Sequence, residues 1–375
     1  MNYPSEKDFK LAAILLDHSL ELKPKEKLLI SISDSADNPL VKAVYIEALK
    51  RGAYPLIDGG ITNFFVGRAS YNGLAYQLLS KGNEWQRGYA PKEVLSSLVD
   101  WADAYVRITQ IGNKKELSQL DPGLAAAQKK VTSPLFRKMI DSDRWVLTYY
   151  PNEAMAQEAG VSLDWLLDFF YDACIVDYVK MEKQLHSLEK VLDAGSLVEI
   201  KGKDTELTVG IKGRLAKSAY GERNIPDGEV FLAPERLKVN GHVKFDLPSI
   251  YQGQEVSGVY VEFKDGKVVK AKADFGEAAL HKILNSDEGS KYLGEFAIGA
   301  NFNIKQGLKE TLFDEKIGGT IHMALGRSYA EKRGGAPKGG NTSVIHWDLV
   351  KDMRVKGSSV KVDGKVILKD GKILV

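Results

Sequence analysis

The sequence changes character near Gly195, and this change limits the folds that the chain can adopt. Before it, helical and extended patterns alternate: a helical pattern over residues 5–20 precedes an extended one over 25–33, and a second pair covers residues 38–60. Further extended segments continue the alternation to about residue 151. Such an order is typical of α/β units that are built around a parallel sheet.

The chain then enters a long helical stretch that ends at Gly195, and beyond it the patterns are short and alternating, as in "SLVEIKG", "TELTVGI" and "SGVYVEF". Asp-Gly pairs, which favour tight hairpin turns, occur at Asp265-Gly266, Asp363-Gly364 and Asp370-Gly371. A chain of 375 residues is long enough for two domains. We therefore predict an α/β N-terminal domain with a parallel sheet, residues 1–193, and a β-rich α+β C-terminal domain, residues 194–375.

Composition excludes several classes of partner. The 52 Lys and Arg residues nearly balance the 50 Asp and Glu residues, so we expect no nucleic acid and no acidic membrane surface as a partner. The single cysteine, Cys174, cannot form an internal disulfide, which favours a reducing compartment, and its apolar neighbours predict a helix-core position. The N-terminal pattern predicts an amphipathic helix rather than a signal peptide, and no apolar run reaches the roughly 18 residues of a membrane span. The sequence thus favours the cytoplasm.

The segment "SVIHWDLV", residues 343–350, has the pattern of a strand but carries a histidine and an aspartate. Because side chains alternate along a strand, His346 and Asp348 share one face, while Ile345 and Trp347 lie on the other. One face is therefore predicted to pack in the core and the other to carry chemistry.

Three more polar residues stand in apolar strand patterns. Glu229 follows the turn sequence Pro-Asp-Gly, Glu295 interrupts "YLGEFAIGAN", and His322 lies in "GGTIHMALG". The other histidines are assigned to helix faces and to a turn: His18, His186 and His281 to helices, and His242 to the turn in "VNGHVKF". Five potential ligands thus come from four separate strand segments.

Three carboxylates and two imidazoles form a familiar set of metal ligands, because buried carboxylates normally pair, protonate or bind metal. This mixture of oxygen and nitrogen donors suits Zn, Mn or Co, and a pair of ions about 3.5 to 4 Å apart would use all five. Taken singly, each residue could instead be structural. The chain lacks HEXXH, GxSxG and P-loop motifs, and the Gly59-Gly60 pair is better explained as a strand-to-helix turn than as a phosphate site.

Four segments in this order, "NIPDGEVFLAP", "GEFAIGAN", "LFDEKIGGTIHMALGRSY" and "NTSVIHWDLV", resemble a known family. They are similar to the thermophilic-type metallo-aminopeptidases, the group that contains aminopeptidase T and aminopeptidase S. The similarity spans nearly the whole chain, although the specific motifs all lie in the C-terminal half.

The resemblance implies that residues 194–375 form a catalytic domain with two divalent ions per chain, which could be zinc, cobalt, manganese or magnesium. The implied metal ligands are Glu229, Glu295, His322, His346 and Asp348. It further implies that Tyr329 acts in catalysis and that Glu295 lies between the metals or serves as the base. Glu315 matches a recurrent position of the family without an assigned role. The implied protein is a cytoplasmic homodimer that removes N-terminal residues from short peptides.

Two other functions remain open at this point. One is a two-metal amidohydrolase that acts on a non-peptide or N-acyl amide with the same ligands. The other is a noncatalytic binding protein whose metal is structural. Cleavage of peptides with free and with blocked N-termini would separate the three possibilities.

Overall fold

The strands before residue 150 form a parallel sheet, and most of the later strands form antiparallel sheets. The computed structural model describes residues 3–32, 38–58, 74–110, 137–251, 253–329 and 340–375, together with isolated residues between 112 and 134. The Gly59-Gly60 pair, for which a turn is predicted, lies outside these residues.

The described residues form ten α-helices and twenty strands, with one π-helical turn at Ile14–Ser19 and one 3₁₀ turn at Glu288–Lys291. The helices are α1 (Glu6–Ala13), α2 (Pro39–Lys50), α3 (Leu74–Lys81), α4 (Glu84–Arg87), α5 (Lys92–Trp101), α6 (Glu153–Ala159), α7 (Leu163–Cys174), α8 (Tyr178–Ala194), α9 (Glu277–Leu284) and α10 (Thr311–Asp314). The strands are β1 (Lys27–Ile32), β2 (Tyr54–Ile57), β3 (Ala104–Thr109), β4 (Trp145–Tyr149), β5 (Leu197–Gly202), β6 (Thr205–Gly210), β7 (Lys217–Ala219), β8 (Asn224–Ile225), β9 (Glu229–Leu232), β10 (Val239–Lys244), β11 (Ser249–Tyr251), β12 (Gln254–Val256), β13 (Tyr260–Lys264), β14 (Lys267–Lys272), β15 (Leu293–Gly299), β16 (Thr320–Gly326), β17 (His346–Asp352), β18 (Ser359–Val362), β19 (Lys365–Lys369) and β20 (Lys372–Ile373).

The chain divides into two units. The first comprises Met1–Val176 and Gly221–Pro226, and the second comprises Asp177–Tyr220 and Asp227–Val375. Helix α8 therefore belongs to the second unit, whereas the domains predicted from the sequence, 1–193 and 194–375, place it in the N-terminal one. Those domain limits stay a prediction.

The first unit is built on a five-stranded sheet with the order β2-β1-β3-β4-β8, in which every pair of neighbours is parallel. Strand β3 is buried at every position, as expected for a parallel strand that is covered on both faces. Helix α1 begins at a capping box in which Ser5 and Asp8 satisfy each other's backbone amides. Cys174 is buried in α7, as predicted. The α/β character of this part of the chain is confirmed.

The second unit contains an eight-stranded antiparallel sheet with the order β14-β13-β10-β6-β5-β18-β19-β20. All three predicted Asp-Gly turns join neighbouring strands of this sheet, and both residues of each turn have a positive φ. A positive φ at both central residues is the requirement of the type I′ hairpin turn. The β-rich character of the C-terminal part is confirmed as well.

The turn predicted around His242 is wrong, because this residue lies within strand β10. The neighbouring Gly241 suggested a turn, and it does have a φ of 113°. A Cβ atom there would lie only 2.2 Å from the carbonyl oxygen of Glu206 on the adjacent strand. The glycine thus permits a close approach of two strands within the sheet.

A second antiparallel sheet of the same unit has the order β17-β16-β15-β9-β7. Its central strands β15 and β16 are buried along their whole length. Within the described part of the chain, every helix is too short or too polar to span a lipid bilayer.

Candidate metal centre

The five predicted ligands share one face of the five-stranded sheet. Glu295 on β15 pairs with Ala324 on β16, and Ala324 pairs with Asp348 on β17, so these three residues face the same way. His322 lies two positions from Ala324, and His346 lies two positions from Asp348. Because side chains alternate along a strand, both histidines belong to the same face.

Glu229 completes the set from β9, where it pairs with Gly299 of β15. Whereas Phe231 and Val350 flank the set, four positions next to the ligands on this face are small, namely Ala297, Gly299, Ala324 and Gly326. Opposed residues of neighbouring strands have Cβ atoms about 5 Å apart, so larger side chains at these positions would fill the space between the ligands. The sheet therefore brings the polar residues together and leaves room among them.

Glu229, Glu295 and His322 form what we call the inner group. His322 Nε2 lies 3.2 Å from Glu229 Oε2 and 3.2 Å from Glu295 Oε1. The three side chains are almost completely buried, with exposed fractions of 6% for Glu229, 4% for Glu295 and 0% for His322. One potential ligand atom from each residue lies within 4.8 Å of the others.

Glu295, His346 and Asp348 form the outer group, whose ligand atoms also lie within 4.8 Å of one another. His346 Nε2 is 3.5 Å from Asp348 Oδ1 and 3.9 Å from Glu295 Oε2. His346 Nδ1 donates a hydrogen bond of 2.7 Å to the carbonyl oxygen of Arg327. This bond fixes the ring and leaves the lone pair of Nε2 directed to the carboxylates, which is the usual arrangement of a metal-binding histidine.

Two neighbouring residues that the sequence left without a role also belong to this site. Glu315 forms a third group with His322 and Asp348, again with ligand atoms within 4.8 Å of one another. Lys316 is buried and forms ion pairs with Glu229 and Glu315. The motif "FDEKIGG" contains both residues, but a lysine is usually a surface residue, and nothing local in the sequence marks it as buried.

Several buried atoms of the site lack a hydrogen-bond partner among the described residues. Those that face the ligand groups are Glu229 Oε2, Glu295 Oε2, His346 Nε2 and Asp348 Oδ1, and His322 Nδ1 is a fifth. Polar atoms buried without partners are costly, and a cluster of unpaired acceptors is stabilised by a cation in its midst. Oxygen and imidazole donors together suit a transition-metal dication. The residues present therefore fit the ions that the resemblance implies.

The pKa values of the site reflect its crowded negative charge. Burial raises the pKa of the Glu295 carboxyl above its usual range, although its hydrogen bond with His322 acts in the opposite direction. Burial alone would lower the pKa of His322, but Glu295 and Glu229 together raise it to about 9. Burial likewise opposes the charges of Asp348 and Glu295, which raise the pKa of His346. The carboxylates of the site thus stabilise positive charge placed among them, whether on a histidine or on a bound cation.

Tyr329 lies at the exposed side of the outer group. Its ring packs edge-on against His346, with 4.9 Å between the ring centroids, and contacts Phe231 at 5.5 Å. The residue is 42% exposed, yet desolvation by neighbouring protein atoms and the charges of Glu295 and Asp348 keep its pKa well above the usual value. The hydroxyl therefore stays protonated and available as a hydrogen-bond donor.

Buried carboxylates and imidazoles that meet on one sheet face are a donor set that could hold divalent metal ions. Comparison with known proteins agrees with this class. The family model described as thermophilic metalloprotease (M29) matches residues 5–373, and the chain belongs to this family.

Two relatives and one solved structure illustrate the similarity. Aminopeptidase T of Thermus aquaticus is 35% identical over 215 residues, which are 51% of this chain and 47% of that one. Aminopeptidase 2 of Geobacillus stearothermophilus is 30% identical over 310 residues, or 69% of this chain and 71% of that one. The chain thus spans about half the length of the aminopeptidase T relatives that it matches.

The solved structure is wild-type AmpT from Thermus thermophilus. It superposes with a TM-score of 0.82 over 98% of this chain and 99% of that chain, at 23% sequence identity. This likeness shows that the two chains share a fold.

Proposed function

We propose that this protein is a metal-dependent aminopeptidase that removes single residues from the N-termini of short peptides. The observation that carries the proposal is the pair of ligand groups that share Glu295 on one sheet face. Membership of a metalloprotease family and the names of the relatives, which are aminopeptidases, support peptide substrates.

The inner group and the outer group would each hold one divalent ion, and Glu295 would be a ligand in both groups. Four carboxylates, those of Glu229, Glu295, Glu315 and Asp348, take part in the three groups, and a fifth, Asp227, lies 3.8 Å from the Lys316 ammonium. Five carboxylates and one ammonium carry a net formal charge of −4, which two divalent cations balance. This charge balance supports two ions rather than one. The two ions could be zinc, cobalt, manganese or magnesium.

The residues of the site have distinct roles in this proposal. Cations held by these residues would supply Lewis acidity, which would lower the pKa of a water toward neutrality and polarise the scissile carbonyl. Glu295 lies between the two groups, which is the position from which a carboxylate can accept the proton of the attacking water. The Tyr329 hydroxyl, beside His346, donates a hydrogen bond to the oxyanion that develops on the scissile carbonyl.

A small pocket adjoins the ligands and gives a reason for cleavage at the terminus. Its lining includes the carboxylates of Asp314, Glu315 and Asp348 and an apolar wall of Leu247, Pro248 and Val350. It also includes the ammonium of Lys309, which is paired with Glu255. The carboxylates would attract the free α-ammonium group of a peptide, and the apolar wall would contact its first side chain. A blocked N-terminus lacks that charge.

The test compares a short peptide with its N-acetylated form. We expect cleavage of the free peptide only, complete loss of activity after chelation, and recovery when Zn²⁺, Co²⁺ or Mn²⁺ is added back without refolding. Cleavage of the acetylated peptide would indicate an amidohydrolase of another specificity. A metal-loaded protein that cleaves neither peptide would indicate a binding protein, and full activity without metal would contradict the proposal.

The cytoplasmic location and the homodimer also belong to this proposal. Light scattering of the metal-loaded protein in solution tests the second, and a monomer that retains full peptidase activity would contradict it.

A further inference from the structure

A buried lysine lies among the carboxylates of the metal centre. Lys316 has an exposed fraction of 1%. Its ammonium nitrogen is 2.6 Å from Glu229 Oε1, 2.7 Å from Glu315 Oε1 and 3.8 Å from Asp227 Oδ1. An ammonium group enclosed by carboxylates has no path to a substrate, so this lysine acts through the residues that it contacts.

The Lys316 ammonium and the His322 ring contact different oxygens of the Glu229 carboxylate. Lys316 Nζ donates to Glu229 Oε1, whereas Glu229 Oε2 faces His322. The backbone around the lysine is held as well, since the Asn301 amide donates to the carbonyl oxygen of Lys316 and the Asn301 side chain donates to that of Asp227. The ammonium is thus fixed within a few ångströms of the proposed metal ligands.

This position has opposite consequences for the metal-free and the metal-loaded protein. Without metal, the ammonium offsets the mutual repulsion of buried carboxylates, whose charges would otherwise be uncompensated. With metal, the same ammonium repels a dication that is held by the other side of Glu229. One residue therefore stabilises the metal-free site and opposes metal binding.

We propose that Lys316 is an internal countercation that holds the metal-site carboxylates together before metal arrives and lowers the affinity of the inner group for the ion. The inference rests on the proposed metal centre. It differs from two simpler roles: a lysine that only orients Glu229 would raise metal affinity, and a lysine that only fills space would leave it unchanged.

The test uses Lys316→Met, which keeps the length of the side chain and removes its charge. We expect the melting temperature of the metal-free variant to fall by roughly 10 °C, since breaking a buried ion pair is strongly destabilising. We expect saturating Zn²⁺ or Co²⁺ to remove more than half of this deficit. Calorimetric titration should show that the variant binds the first ion at least about tenfold more tightly than the wild type does.

Lys351→Met is the matched control. Lys351 has the same exposed fraction of 1% and pairs with Asp246 at 2.8 Å, and none of the three ligand groups includes Asp246. Because Asp246 is 36% exposed, loss of the Lys351 charge should lower the melting temperature less than loss of the Lys316 charge does. The deficit should be the same with and without metal, and metal affinity should stay within about twofold.

Weaker or unchanged metal binding by Lys316→Met would overturn the inference, as would a melting deficit that metal does not reduce. If this variant folds only in the presence of metal, chelator-triggered release from the loaded protein decides: slower release than in the wild type supports the inference, and equal or faster release contradicts it. A wild-type protein that binds no metal would instead contradict the proposed function, and this result is visible before any variant is made.

Discussion

The inner and outer groups of the metal centre share Glu295 but have different surroundings. His322 of the inner group is fully buried, and Glu229 is paired with the buried Lys316. In the outer group, the side chains of His346 and Asp348 are 15% and 9% exposed, and His346 packs against the exposed Tyr329. The inner group is thus built into the core of the second unit, whereas the outer group lies nearer to the exposed surface at Tyr329.

This difference predicts that substitutions in the two groups fail in different ways. Changes to inner residues remove partners from buried charges and should reduce stability together with metal binding. Changes at the exposed side of the outer group, as at Tyr329, should mainly affect catalysis, because water can replace a lost partner there.

The largest effect is expected from Glu295→Gln, since this residue belongs to both groups. The amide keeps the shape of the side chain but loses the charge shared by two ions and the ability to accept a proton. We expect kcat to fall by roughly 10² to 10⁴ and both ions to bind more weakly. Steady-state kinetics and elemental analysis are the measurements. Wild-type kcat with two ions bound would exclude the role, and near-normal kcat with one ion would indicate a mononuclear site.

Tyr329→Phe should have a smaller effect that is confined to catalysis. If the hydroxyl donates to the developing oxyanion, kcat should fall by roughly 10² to 10³, while KM, metal content and the melting curve change little. Tyr260→Phe is the control, because Tyr260 packs on His242 in the eight-stranded sheet. A Tyr329→Phe enzyme with two ions, a native melting curve and wild-type kcat would show that the ring only packs.

The smallest effect concerns the segment that leads into strand β17. Asp287 accepts hydrogen bonds from the Val344 amide at 2.6 Å and from the Ser343 hydroxyl at 2.8 Å, just before His346. Asp287→Asn should weaken these bonds by about 1 to 2 kcal/mol and lower the affinity of the outer group by several-fold.

Asp363→Asn is a suitable control for that substitution. Asp363 also accepts two backbone amides, those of Ser196 and Leu197, and it belongs to none of the ligand groups. We expect a similar loss of melting temperature without a change in metal affinity. Equal metal binding by the two variants would remove Asp287 from any part in positioning His346.

The residue types of the centre could be recognised from the sequence because each is polar within an apolar strand. That they share one face of the sheet could not be predicted. It depends on the pairing of distant residues such as Glu229 and Gly299, and on a shift of register between Leu293 and Glu295. A slip of one residue at that shift would turn Glu295 to the opposite face.

Two other differences between prediction and structure each have a specific physical cause. Lys316 was missed because burial of a lysine depends on carboxylates that are distant in the sequence, such as Glu229. His242 was assigned to a turn because an Asn-Gly pair usually marks one, whereas Gly241 here relieves a steric conflict between strands. Glycine in a strand and glycine in a turn look alike in a single sequence.

Anomalous diffraction from crystals soaked in Zn²⁺ tests the central claim most directly, because it gives the number and the ligands of the ions in one measurement. The account predicts two peaks per chain, one contacted by Glu229 and His322 and the other by His346 and Asp348, with Glu295 in contact with both. A single peak, or peaks away from these five residues, would contradict it.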